Sequence, residues 1–292
     1  MEIMFELIHL LSQFMLTFLS IMLMGLSFFQ LFIQPNALNP IIIKKLKSWI
    51  IVQIVLLAFF ICINYITKVI VFAEEGFAGL LDPFYHELIL EGPHKWILLL
   101  SISSLILLSI TQFITLHLTF KSIANLVFSS LLLSPFIFSG HFYDSNIIFT
   151  LLILIHILCV SFWVGSLYPL YLCSSPKLNN NVIHVKELME KFGNIAALFI
   201  ASLVISGGIL FYYNTNEIAS IFTSNYHIGF LIKFLSVVVI LSIACLHKFI
   251  LVKNLNDKKS LEKLNKSIFM ETIVAIIIIV ISTIVVRYIG LE

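Results

Sequence analysis

Eight apolar runs divide this chain, at about 7–33, 48–72, 96–119, 123–139, 147–173, 192–213, 227–251 and 268–289. Roughly 20 apolar residues are what one helix needs to cross a bilayer, so the pattern predicts eight transmembrane helices joined by short polar connections. The runs take up most of the 292 residues. No stretch is left that is long enough for a separate soluble domain. The expected fold is therefore all-α, a polytopic bundle of eight transmembrane helices forming a single integral membrane domain over 1–292. Its two halves would join near 140–147.

Composition points the same way, with 60% hydrophobic and 11% charged residues, a balance that no soluble core can hide. The flank of the first run carries Glu2 and Glu6, and the first lysine is Lys44. A cleaved signal peptide begins with positive charge, so run 1 is expected to remain as a span. No GxxxxGK[ST] phosphate loop occurs, which excludes a built-in ATPase and leaves a gradient or a partner as the source of energy.

The lysines set the expected orientation, because cytoplasmic loops collect positive charge. Lys44, Lys45, Lys47, Lys121, Lys177, Lys186, Lys191, Lys248, Lys253, Lys258, Lys259, Lys263 and Lys266 fall on one side, thirteen of the 17 basic residues. Both termini are then predicted to face the periplasm. The net charge of +2 reflects this topology and implies no nucleic-acid partner.

On the predicted outer side, 73–95 carries Glu74, Glu75, Asp82, Glu87 and Glu91 against Lys95, together with His86 and His94. His9, His141 and His227 lie at the same level, and Met4 stands on the outer flank. An acidic rim concentrates cations, and imidazole with sulfur suits copper among the transition metals. Each feature also has a plainer account. Outer loops turn acidic when lysine is kept inside, and a histidine at the interface is an ordinary anchor.

His156 is harder to explain away. It stands about nine residues into the fifth run, roughly 13 Å deep at the helical rise, and an imidazole in hydrocarbon must find a partner. Cys159, Val160 and Trp163 share its helical face, and imidazole with thiolate is a soft-metal pair. The four cysteines, Cys62, Cys159, Cys173 and Cys245, are too scattered for a disulfide framework or a structural zinc site. Gly165-Ser166 and Gly207-Gly208 would let helices approach closely.

Residues 135–292 resemble the copper resistance protein D family (CopD/PcoD). The resemblance is carried by Ser139-Gly140-His141, then His156 with Trp163-Val164-Gly165-Ser166-Leu167 and Pro169, then Lys191-Phe192-Gly193-Asn194-Ile195-Ala196 leading to Ser206-Gly207-Gly208. It continues through Tyr226-His227-Ile228-Gly229-Phe230-Leu231-Ile232-Lys233 to Ser267-Ile268-Phe269-Met270-Glu271. Phe142, Ser166, Asn194 and His247 depart from the family's usual residues. The resemblance implies an inner-membrane copper transport protein rather than an enzyme, working beside periplasmic copper-binding partners. Copper would be its cargo, with His156, His141, Cys159, His9, His227, His86, His94 and Met4 as candidate ligands. A second reading is a single-haem b-type membrane electron carrier, with His141 or His156 opposite His9 or His227 as axial ligands. A third is a purely structural membrane subunit.

Overall fold

A computed structural model describes residues 2–34, 38–115, 117–135, 147–179, 181–214 and 225–287. Among these residues the fold is all-helical. In chain order the helices are α1 (Glu2–Phe28), α2 (Pro40–Ala73), α3 (Pro83–Glu91), α4 (His94–Phe113), α5 (Leu118–Ser130), α6 (Ile147–Cys173), α7 (Val182–Asn214), α8 (Asn225–Leu246) and α9 (Lys258–Arg287). Wider π-helical turns extend α1 over Phe29–Ile33 and α8 over His247–Leu251.

Seven of these helices are long and apolar enough to cross a membrane. The eighth predicted span, 123–139, is represented by α5 and a 3-10 turn, which form a shorter apolar helix over Leu118–Leu133. Residues 136–139 of that run lie outside the described residues.

Several helices begin well before their apolar runs, α2 by eight residues and α7 and α9 by ten. Counting apolar residues detects only the part suited to hydrocarbon, whereas the helices continue to their capping residues. Asn39 accepts from Ile41 N at 2.9 Å with Pro40 in the first turn, which needs no N–H there. Asn181 accepts from His184 N at 3.1 Å. Asp257 accepts from Ser260 N at 2.7 Å while Ser260 Oγ accepts from Asp257 N at 3.1 Å, a reciprocal cap at the start of α9.

The described residues form two compact units, one of 1–20 with 51–154 and one of 21–50 with 155–292. In the first, polar side chains bond one another within an apolar setting. Asn64 Nδ2 donates to Ser12 Oγ at 2.9 Å, and Thr111 Oγ1 donates to Asn125 Oδ1 at 2.6 Å. Asp82 caps α3 at Phe84 N, 2.9 Å away.

The second unit has a tighter backbone approach. A Cβ on Gly165 would stand 2.5 Å from the Ile21 carbonyl oxygen and 2.6 Å from Gly25 Cα, so the glycine is required for α6 to reach α1. Beside this point the Phe162 ring stacks on Phe199, with centroids 4.0 Å apart, and on Phe192 at 5.6 Å. Lower on α6, Asn265 Nδ2 of α9 donates to the Tyr171 carbonyl and to Ser174 Oγ, both at 2.8 Å. Helix α6 is therefore fixed at several heights by different neighbours.

Candidate functional site

Two polar stations lie on α6, at His156 and Trp163, seven residues and about 10 Å apart along one face. The side chains that complete both come from α7, α8 and α9 of the same unit.

At the first station, His156 Nδ1 lies 3.3 Å from Ser206 Oγ. Ser206 Oγ in turn donates to the Leu203 carbonyl at 3.2 Å, which fixes the hydroxyl. Gly207 forms the wall beside the ring, since a Cβ there would sit 3.0 Å from His156 Cε1 and 3.3 Å from Nδ1. The adjacent Gly208 has nothing within 4 Å of the same position. Of the two glycines, only Gly207 is needed for the station. Lys233 stands about two turns into α8 of the same unit. Cys159, one turn along α6, is buried and free.

At the second station, Glu271 is only 2% exposed. Its Oε1 accepts from Trp163 Nε1 at 2.9 Å, and its Oε2 pairs with His247 Nδ1 at 2.7 Å. His247 Nε2 lies 2.6 Å from Ser267 Oγ. His247 opens the π-helical turn that ends α8, and the wider turn is a feature often found at functional sites. Beside it Lys248 Nζ donates to the Gly193 carbonyl at 3.0 Å.

The remaining candidates are differently placed. His9 in the first unit has Nδ1 3.0 Å from Thr67 Oγ1 and Nε2 2.8 Å from Gln13 Nε2. His86 has Nδ1 2.8 Å from Tyr65 OH and donates from Nε2 to the Leu80 carbonyl at 2.9 Å, so its ring ties α3 to α2. His94 opens α4 and has a buried Nδ1 with no hydrogen-bond partner among the described residues. Met4 is exposed near the start of α1. His227 lies in the first turn of α8. His141 falls outside the described residues. Among the described residues, no three His, Cys, Asp or Glu side chains converge to hold a metal ion.

The family model of copper resistance protein D matches residues 186–285. The match agrees with the motif resemblance over about a third of the chain, and the seven long apolar helices mark a multi-pass membrane protein. Comparison with curated proteins and with solved structures finds no match. The matched stretch contains Ser206, Gly207, Lys233, His247, Ser267 and Glu271, the side of both stations that faces α6. His156 and Trp163 precede it.

Reasoning from the sequence placed His156, Trp163 and Glu271 in motifs but did not join Trp163 to Glu271, and took His247 only as a departure from the family pattern. A signal was present. Glu271 is a lone carboxylate at the start of an apolar run, which requires a partner, and His247 lies near the lysine-rich end of the preceding span.

Proposed function

We propose that this chain binds copper and carries it across the bacterial inner membrane, from the periplasmic side towards the cytoplasm. The observation that carries this reading is the imidazole of His156 held by Ser206 and Gly207, two residues inside the stretch matched to copper resistance protein D. A hydrogen bond at one ring nitrogen fixes the tautomer and leaves the other to coordinate. With Nδ1 on Ser206, Nε2 is the nitrogen for the ion, and Cys159 supplies a soft ligand one turn away.

A cargo ion must also leave, so few ligands suit passage better than a closed cage. In this reading His9, His86, His94, His141, His227 and Met4 form the capture level on the periplasmic side, where eight spans with both termini outward would place them. Periplasmic copper-binding proteins would deliver the ion there.

The test is copper uptake by vesicles carrying the wild type or His156→Ala. Loss of even an indirect partner of a metal costs about 10–100-fold, so uptake should fall at least tenfold while the protein still elutes as a folded species. Equal uptake by the two overturns the assignment.

A further inference from the structure

The second station combines two ionisable groups in a way the copper reading leaves unused. Glu271 has a donor on each carboxylate oxygen, Trp163 on one and His247 on the other. Both nitrogens of His247 are engaged, and the partner of Nε2 is a hydroxyl. A hydroxyl both donates and accepts. With a neutral ring, Nδ1–H donates to Glu271 and Nε2 accepts from Ser267. With a cationic ring, both nitrogens donate and Ser267 accepts. A rotation of one O–H bond accommodates the added proton, and no buried polar atom of the pair loses its partner in either state.

We propose that the His247–Glu271 pair is a proton-binding site that takes up and releases one proton as the cargo ion passes. The step is H⁺ from water adding to His247. A carboxylate with a neutral imidazole, net charge −1, becomes a carboxylate with an imidazolium, net charge zero. The anionic form attracts a cation and the neutral form does not, so proton uptake and cation occupancy oppose each other. This coupling rests on the copper reading; the proton site itself does not.

The lysine-rich start of α9 lies close by, with Lys266 five residues before Glu271, roughly 7–8 Å along the axis. The charged neighbours by position are few. Lys248 follows His247 and is held by the Gly193 carbonyl, Glu190 and Lys191 lie within a turn of Gly193 on α7, and Lys263 and Lys266 precede Glu271 on α9. On α6 no Asp, Glu, Lys or Arg occurs between 155 and 173. Protonation of the pair therefore meets no second carboxylate on the helix that carries Trp163.

Trp163 is bonded to the site and reports on it. In full-length protein carrying Trp49→Phe and Trp96→Phe, reconstituted in lipid vesicles, Trp163 emission should follow a single one-proton transition as pH is varied. His247→Gln should abolish it, and Glu271→Gln, which leaves the imidazole without its anion, should displace it. A flat response in the protein with both residues intact overturns the site, and so does the same transition persisting in His247→Gln. In parallel, copper uptake into the same vesicles should respond to an imposed pH difference, and Glu271→Gln should lose that response. Titration without any copper uptake keeps the proton site and removes the copper reading; uptake without titration removes the proton site alone.

Discussion

Two adjacent glycines on α7 offer an internally controlled test of how the His156 ring is held. Gly207→Ala would bring a Cβ to 3.0 Å from His156 Cε1 and 3.3 Å from Nδ1, whereas Gly208→Ala meets nothing within 4 Å. Ordinary contact begins near 3.4 Å, so the ring must retreat by about 0.4 Å. Its bond to Ser206 is already 3.3 Å, at the long end of the useful range, and a retreat of that size weakens or breaks it. The loss of a bond that orients a metal ligand costs about 10–100-fold in affinity. Alanine in a helix interior is also about 0.5–1 kcal/mol better than glycine, so Gly208→Ala should be neutral or slightly stabilising and retain copper binding. Copper competition titrations on both purified variants, with melting curves in detergent, read the two effects separately. Indistinguishable affinity in Gly207→Ala and Gly208→Ala would refute the reasoning.

At Gly165, an alanine Cβ would meet backbone atoms of Ile21 and Gly25, which cannot swing aside as a side chain can; Gly165→Ala should destabilise by about 1–3 kcal/mol, read as a lowered melting temperature. His247→Leu leaves Glu271 as a buried carboxylate without its His partner and should cost about 3–5 kcal/mol, whereas His247→Leu with Glu271→Leu should recover most of that in the same melts. Ser260 holds the Asp257 carboxyl below its usual range through side-chain and backbone hydrogen bonds. A depressed folded-state value stabilises above the unfolded value of about 3.9 and is lost as pH falls through the folded one. Amide exchange over 258–261 should therefore be protected near neutral pH, and that protection should be lost in acid and in Asp257→Ala at pH 7.

The spans were legible because crossing a bilayer demands length and apolarity, both of which can be read along a line of residues. Run 123–139 is represented among the described residues by the shorter apolar helix Leu118–Leu133. Helix starts were misplaced where capping residues, Asn39, Asn181 and Asp257, lie outside the apolar blocks. His156 stood out because a single polar residue in a long apolar run is conspicuous. Trp163, His247 and Glu271 are spread over more than 100 positions, and spacing along one helix carries no information about such a triad. What joins them is packing: Gly165 sets α6 against α1, and Asn265 ties α9 to the carbonyl end of α6. His86 was prominent as an outer imidazole, yet its Tyr65 and Leu80 partners are visible only in three dimensions.

The two stations on α6 differ in chemistry: the partner of His156 is the Ser206 hydroxyl, and that of Trp163 is the Glu271 carboxylate. In the proposed reading a cation held at His156 would be attracted towards the Glu271 carboxylate, about 10 Å along the same helix face. In a low-dielectric interior such a separation is poorly screened. An attraction of that sense is consistent with the direction proposed for copper, from the His156 end to the Glu271 end. The same attraction would trap the ion at an unprotonated carboxylate. Release requires that negative charge to be cancelled, and His247, bonded to Glu271 at 2.7 Å, is placed to cancel it by accepting one proton. Attraction and release then depend on one pair, and a passage built from His156 alone would have neither.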